Sequence, residues 1–265
     1  MPTFKVVTIN ILSDLSHWEE RRWLLAEGLS EIKPDLTALQ EVSLPENNAE
    51  WLAHQLGAQY MYLSPKSGRA GLKEGIALLS NLPFENRAHL DLETQHRVAQ
   101  YVSVRIDGKP LYLANGHFLW QPGESLGRQQ QIDHLLEWLG SVSGDPPMVV
   151  CGDFNGTPDT PAIQKMRRYF ASAYAVVHGE DPEYTTPTPL PRSKWKLLLT
   201  LLNFWRYIKL KDIDIHWRGT LDYIFVNQHL KVIDCQIVLN QPSPGNPVLF
   251  PSDHFGLLAI LEIEP

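Results

Sequence analysis

The tightest constraint on the fold is one hairpin near the middle of the chain. From Val98 to Ile106 the residues alternate, with Val98, Gln100, Val102, Val104 and Ile106 on one side. Asp107-Gly108 follows, and a second apolar run covers Pro110 to Ala114. Strand, Asp-Gly, strand is a strong local hairpin signal, because the dipeptide accepts the positive φ angles that a two-residue turn demands. Antiparallel pairing is therefore built into a chain that elsewhere alternates strand-like with helix-like segments.

The remaining segments fill in the architecture. Phe4 to Leu12 is rich in β-branched residues and reads as a buried strand. Trp18, Leu25, Leu29 and Ile32, with the stem of Arg22, sit at helical spacing, and Pro34 marks the end of that helix. Leu36 to Leu39 reads as a strand running into Gln40-Glu41, Ala49 to Leu56 as a helix closed by Gly57, and Gln59 to Leu63 and Gly75 to Leu79 as strands. Leu126 to Leu139 is a further helix, and Met148 to Cys151 a buried strand entering Gly152-Asp153-Phe154-Asn155. Late strands are expected at Asp222 to Val226, Val232 to Leu239 and His254 to Ile263. Helices join some strands and hairpins join others. That mixture fits two packed sheets with helices outside better than a single parallel sheet.

Length and composition agree with one large globular domain: 265 residues, 43% hydrophobic and 20% charged. The opening MPTFKVVTINIL has no signal-peptide pattern, and no run of about 18 apolar residues offers a transmembrane helix, so a cytoplasmic protein is expected. Cys151 and Cys235 both lie in apolar strand-like runs and read as two buried thiols rather than a disulfide. The formal net charge of −7 argues against a general duplex-binding protein but not against a nuclease, since a metal ion can supply the positive charge at the site.

The reactive side chains gather at strand boundaries. Asn10 lies in the first strand, Glu41 ends the second, and Glu74 precedes the Gly75 strand. His117 follows the Leu111 strand, Asp153 and Asn155 follow the Met148 strand, Asp222 opens a late strand, and Asp253-His254 opens the last. Strand ends of a sheet lie near one another, so these groups can converge. Carboxylates brought together raise one another's pKa unless a cation sits among them, and hard oxygen donors suit Mg²⁺ or Mn²⁺. Two histidines among the acids suit proton handling or charge stabilisation. Taken one at a time, an Asp or Asn at a strand end is usually a turn former, and His117-Phe118 is more often a structural histidine.

Seven short pieces resemble, in order, the endonuclease/exonuclease/phosphatase superfamily with its deoxyribonuclease I-like fold. They are Thr8-Ile9-Asn10, Gln40-Glu41-Val42, Glu74 to Ser80, Asn115-Gly116-His117-Phe118, Gly152-Asp153-Phe154-Asn155, Leu221 to Phe225 and Ser252-Asp253-His254. The resemblance implies a four-layer α/β/β/α sandwich of two mixed β-sheets flanked by helices, acting as a divalent-metal-dependent hydrolase of phosphate esters. It makes Glu41 the principal metal ligand, helped by Asn10 and Asp253. Asp153 and Asn155 would position the attacking water and hold the phosphate or a second metal. His254, its tautomer set by Asp222, would contact the phosphate or act as general base. His117, oriented by Glu74, would stabilise the pentacovalent phosphate or protonate the leaving group. The sequence departs from the family at Gly116, where Thr is usual, and at Thr220, where Arg is common, with Arg218 nearby. Arg97 and Arg128 are candidates to reach a substrate phosphate.

The family's substrates range over nucleic acids, small phosphodiesters and lipid head groups, and fold alone does not choose among them. The distinctive feature is a helical insertion at about 187–217 in an otherwise single domain 1–265. Within it, the segment 195–210 is basic and amphipathic with Trp195 and Trp205. Such a segment can pack as an extra helix, lie peripherally on a membrane, or stack on bases. The expectation is a Mg²⁺- or Mn²⁺-dependent phosphodiesterase of nuclease type. The alternative is a sphingomyelinase-like or inositol-directed phosphohydrolase that docks through 195–210. No obligate protein partner is implied.

Overall fold

The computed structural model describes residues 3–123, 125–191 and 217–264. Two six-stranded sheets face each other. One has the order β11-β12-β1-β2-β4-β3 and the other β5-β6-β7-β8-β10-β9. In the first sheet, β1 (Thr3–Asn10) lies parallel to β2 (Leu36–Ser43) across helix α1 (Trp18–Ile32). In the second, β7 (Lys109–His117) lies parallel to β8 (Met148–Asp153) across α3 (Leu126–Gly140). The other pairs are antiparallel. They involve β3 (Tyr60–Pro65), β4 (Glu74–Ser80), β5 (Asn86–Asp91), β6 (Val98–Ile106), β9 (Ala171–Ser172), β10 (Asp222–Val226), β11 (Leu230–Val238) and β12 (Gly256–Ile263).

The central hairpin forms as read: β6 pairs β7 from Ala99↔Gly116 to Ile106↔Lys109, and the turn residues Asp107 and Gly108 take φ of 48° and 78°. The inward faces of both sheets make one core, including Val6, Ala38 and Leu78 from the first sheet and Val102, Leu113 and Ile224 from the second. Cys151 and Cys235 are free thiols within it. α1 and α2 (Asn48–Leu56) cover the outer face of the first sheet through Leu25, Leu29 and Leu52. α3 and α4 (Pro161–Met166) cover the second through Ile132, Leu135 and Ile163. Four layers result, because each sheet has an apolar face on both sides and needs helices to bury the outer one.

Four of the strands and α-helices escaped the sequence reading for local reasons. β5 is a polar edge strand with little buried surface, α4 and α5 (Ala173–His178) are six residues each, and β9 has two. β5 is too polar, and the others are too short, for a periodicity to register. The buried arginine of α1 is Arg21, not Arg22, whose guanidinium instead lies 4.9 Å over the Trp51 ring at the surface. The last strand begins at Gly256 rather than His254, because Asp253 and Phe255 are bonded to the Thr185–Thr188 stretch instead of to a neighbouring strand. The 195–210 segment lies outside the described residues.

A buried polar bridge joins the sheets beneath one end of the sandwich. Gln40 Nε2 donates to Thr8 Oγ1 (3.0 Å) and to Asn115 Oδ1 (2.8 Å), and Asn115 Nδ2 donates to the carbonyls of Leu39 (3.0 Å) and Ala77 (3.1 Å). Amides buried this deeply are costly unless bonded, so the bridge fixes how the two sheets meet.

Candidate active site

The carboxyl ends of both parallel pairs lie at the same end of the sandwich. There Asn10 and Glu41 from the first sheet meet His117 and Asp153 from the second, which are directly paired in register. The antiparallel strands begin at that end and bring Glu74 at the start of β4 and Asp222 at the start of β10, itself opposite Asp153. The loop entering β12 adds Asp253 and His254. Glu41 sits in an irregularity of the β2–β4 ladder between Leu39 and Val42, with φ 54°. A bulge with a left-handed residue re-aims a side chain that a regular strand would send elsewhere. Asn155, two residues beyond β8, is also left-handed at φ 50°. At Gly152 the backbone leaves no room for a Cβ against the Gly116 carbonyl. At Gly116 a Cβ would stand 2.5 Å from the Phe118 ring, which accounts for glycine where the family usually has threonine.

Glu41 is the best-held carboxylate of the group. Its Oε2 accepts from both the N–H (2.9 Å) and the Oγ (3.0 Å) of Ser13, while Asn10 Nδ2 stands 3.4 Å from Oε1. Burial works against its charge. The Ser13 N–H and the positive fields of Arg97, Lys66 and His254 outweigh that and hold the carboxyl down at about 2. Asn10 also donates to Asp153 Oδ2 at 3.0 Å, and its Oδ1 accepts from Leu12 N–H at 3.0 Å. In this arrangement it braces two acids. To ligate a metal through Oδ1 its amide would have to turn over. Glu74 was expected to orient His117, but its Oε1 is ion-paired to Lys66 Nζ and stays 3.8 Å from both Arg97 Nη1 and His117 Nδ1. Burial and the neighbouring Glu41 push its carboxyl up.

His117 is buried with Arg97 Nη1 at 2.8 Å from Nδ1 and 2.7 Å from Nε2, and its Nε2 lies 3.4 Å from Asp153 Oδ2. Burial, together with Arg97, Lys66 and His254, drives its pKa well below the usual histidine range, so the ring is neutral at pH 7. Arg97 thus belongs to the site. Asp153 accepts from Asn10 at Oδ2 and from Asn155 N–H at Oδ1 (2.9 Å). Burial, reinforced by Asp222, raises its carboxyl to about 7 despite the opposing His254, Asn10 and Asn155. Arg128 is not available to a substrate. It is buried, and its guanidinium is spent on the carbonyls of Leu119 (3.4 Å), Gln121 (3.1 Å), Gly123 and Asn155. Its geometry makes it a brace for Asn155, whose own Nδ2 donates to Phe118 O at 3.1 Å.

On the far side of Asp153, His254 Nδ1 lies 2.8 Å from Asp222 Oδ2, and Thr185 Oγ1 donates to the same oxygen at 2.6 Å. Burial would lower the His254 pKa. The charge and hydrogen bond of Asp222, with Asp153 and Asp253, overcome that and raise it to about 10, so this ring is a cation at pH 7. Asp253 and Ser252 are held by the same strap: Thr186 Oγ1 donates to Asp253 O (2.9 Å) and Thr188 Oγ1 to Ser252 O (2.7 Å). Thr220 donates to Pro182 O, and Arg218 lies 4.8 Å over Tyr184, so neither occupies the site.

The donor set fits a hard divalent ion. Glu41 stays charged and its Oε1 has only the distant Asn10 contact. Asp153 is lifted to about 7 by burial and Asp222, a burden that a cation would relieve. One atom each from Asp153, Asp222 and His254 lies within 4.8 Å of the others, but Nδ1 of that histidine is engaged by Asp222, which suits proton handling better than an ion cage. Sequence reasoning missed Ser13, Lys66, Thr185 and Arg21. All four stand outside the seven short pieces, and only folding brings them to the strand ends.

A sequence profile described as the endonuclease/exonuclease/phosphatase family matches residues 7–254. Nocturnin of Xenopus laevis is 26% identical over 97% of this chain and 71% of its own length. Human 2',5'-phosphodiesterase 12 is 24% identical over 72% of this chain and 32% of its own. The chain spans between 42% and 58% of the other Nocturnins it matches. The structure of the human Nocturnin catalytic domain with bound sulfate superposes with a TM-score of 0.76 at 25% identity, covering 99% of this chain and 95% of that one. By profile, fold and site together, this chain belongs to the endonuclease/exonuclease/phosphatase family.

Proposed function

We propose that the chain is a divalent-metal-dependent phosphodiesterase of nuclease type, with Glu41 as principal metal ligand and Mg²⁺ or Mn²⁺ as the ion. The observation that carries this is the arrangement around Asp153: Ser13 occupies Glu41 Oε2 and leaves Oε1 toward the site, His117 Nε2 lies 3.4 Å from Asp153 Oδ2, and Asp222 fixes His254 Nδ1 at 2.8 Å, surroundings that push the two histidines' pKa values in opposite directions. Environments that drive two titrating groups apart assign acid, base and electrostatic roles within one pocket.

The roles follow from that arrangement. A divalent ion on Glu41 supplies Lewis-acid polarisation of the phosphoryl oxygen and support for the leaving oxygen. Asp153, held by Asn10 at Oδ2 and by the Asn155 N–H at Oδ1, takes a proton from the attacking water as its oxygen forms the new bond to phosphorus. His254, cationic and fixed through Nδ1 by Asp222, offers Nε2–H to a phosphoryl oxygen; its charge makes it a poor general base at neutral pH. His117 and Arg97 stabilise the charge on the pentacovalent phosphate. As the bond from phosphorus to the leaving oxygen breaks, that oxygen takes up a proton from solvent, and Asp153 releases the proton it accepted to solvent. Asn155, braced by Arg128, holds the backbone N–H that keeps Asp153 in place. Asp253 stands beside this set and is a further candidate for the metal side.

The relative named 2',5'-phosphodiesterase 12 supports a phosphodiester substrate, nucleic acid or small diester. The domain is read as a single unit 1–265 interrupted at about 187–217. The lipid-directed alternative rested on 195–210 and gains no support, and no helix among the described residues is long and apolar enough to cross a membrane. The test is hydrolysis of bis-p-nitrophenyl phosphate, p-nitrophenyl phosphate, short single-stranded DNA and RNA with 2',5' and 3',5' linkages in Mg²⁺. Cleavage of one or more diesters with little action on the monoester is expected. Exclusive monoester cleavage, or none of any kind, overturns the diesterase reading.

A further inference from the structure

Arg21 is a fully buried arginine that the reaction above does not use. It rises from the first turn of α1 and donates to five backbone carbonyls: Ile11 (3.0 Å), Leu12 (3.4 Å), Asp14 (2.7 Å), Ser16 (3.3 Å) and Pro251 (3.0 Å). Four of these belong to the loop leaving β1, and the fifth belongs to the loop entering β12. All three guanidinium nitrogens are used, and the Trp18 ring lies 5.6 Å away.

The clamped residues bracket the groups that hold Glu41. Ser13 lies between Leu12 and Asp14, and it supplies the N–H and the hydroxyl that together occupy Glu41 Oε2. Pro251 precedes Ser252, whose Oγ donates to the Asn10 carbonyl at 2.6 Å, and Asp253 follows. One planar donor group thus ties the Ser13 loop, which bonds Glu41, to the Ser252 loop, which bonds the Asn10 carbonyl. With Oε2 taken by Ser13, Oε1 is the oxygen left for an ion. Groups behind a ligand that orient it typically set metal affinity by about 10- to 100-fold.

We infer that Arg21 is a positioning residue for the metal site: by clamping the 11–16 loop to Pro251 it presents Ser13 to Glu41 and so sets the affinity of the site for a divalent ion. The inference rests on the reading of Glu41 as a metal ligand. Arg21→Lys keeps the charge but has three donors in place of the guanidinium fork, so it cannot span all five carbonyls. Ser13→Ala removes the Oγ bond without disturbing the core.

The experiment is Mn²⁺ titration of the full chain, followed by loss of the free-ion electron paramagnetic resonance signal, for wild type, Ser13→Ala, Arg21→Lys, the double variant and Glu41→Gln. Circular dichroism checks that each is folded. Weakening of Mn²⁺ binding by about 10-fold or more in Arg21→Lys is expected. A smaller loss is expected in Ser13→Ala, and the double variant should be no worse than Arg21→Lys alone. In turnover, the half-saturating metal concentration rises while kcat at saturating metal stays near wild type, a split that a general loss of folded protein does not produce. Folded Arg21→Lys with wild-type Mn²⁺ affinity overturns the inference. If Arg21→Lys does not fold, Ser13→Ala decides, and wild-type affinity there overturns it. If Glu41→Gln binds Mn²⁺ as well as wild type does, the metal-ligand reading fails instead, and this inference falls with it.

Discussion

Replacing Asp222 with asparagine separates the two roles open to His254. Asp222 is fully buried, and one of its oxygens takes both His254 Nδ1 at 2.8 Å and Thr185 Oγ1 at 2.6 Å. The amide oxygen of the introduced asparagine can keep both bonds, so Asp222→Asn removes charge more than geometry. His254 is raised from 6.5 to about 10 against the pull of burial, with Asp222 the main cause. At about 1.4 kcal/mol per pKa unit, that shift is worth roughly 5 kcal/mol, of which Asp153 and Asp253 hold only a part. Without the Asp222 charge, burial is opposed far less, and the His254 pKa should fall to neutrality or below. The assay is NMR titration of histidine-labelled protein from about pH 5 to about pH 9 in EDTA. Wild-type His254 should stay doubly protonated throughout, and the variant should titrate inside the window. In turnover with metal at pH 7, the variant should lose about 10²-fold in kcat, part of which returns on lowering the pH toward 6 as the cation is restored. A wild-type midpoint near the ordinary histidine value, or identical titrations in the two proteins, refutes the reasoning.

Further tests follow from the same geometry. Arg128→Leu orphans several buried carbonyls, so it should cost roughly 3 kcal/mol of stability and lower kcat through Asn155; a denaturant melt unchanged from wild type would contradict its role as a brace. In EDTA the raised pKa of Asp153 (about 7) contributes stability that is full below 3.8 and gone above about 7, and that of His254 (about 10) contributes stability that is full below 6.5 and lost as pH rises to about 10. Glu41, depressed to about 2, contributes stability above 4.5 that is lost as pH falls through 2. Denaturant melts across that range should therefore decline on the alkaline side, and a flat or rising profile from pH 6 to 10 would count against the assignments. Burial pushes the Cys151 and Cys235 thiols up to about 12, so neither should react with a disulfide reagent in the native protein. Modification within minutes without unfolding would show that one is not buried.

Much of the fold was legible because its signals are local. The Val98–Ile106 alternation with Asp107-Gly108, and the β-branched runs around Val6 and Val149, describe their own conformations. The elements missed, β5 and the short helices α4 and α5, are too polar or too brief to carry a period. The candidate site was legible in part, since Asn10, Glu41, His117, Asp153, Asp222 and His254 sit in short pieces at strand boundaries. Its support was not. Arg21 looks like a surface residue in WEERRW, and only packing of α1 on the first sheet decides that it, rather than Arg22, turns inward. Arg128 and Arg97 look alike in sequence, yet one is consumed by carbonyls and the other faces His117. The resemblance assigns Glu74 to His117; the structure keeps the two 3.8 Å apart and bonds Glu74 more closely to Lys66, a residue whose position depends on the β3–β4 pairing. Such assignments depend on contacts between residues far apart in the chain.

The central claim is metal-dependent phosphoester hydrolysis at the Glu41 end of the sandwich. Its most direct test is to follow diester cleavage by wild type and Glu41→Ala side by side, each in EDTA and then with Mg²⁺ restored. The account predicts that EDTA abolishes wild-type turnover, that Mg²⁺ returns it, and that folded Glu41→Ala stays inactive in both. Equal turnover by Glu41→Ala, or wild-type turnover undiminished in EDTA, would contradict it.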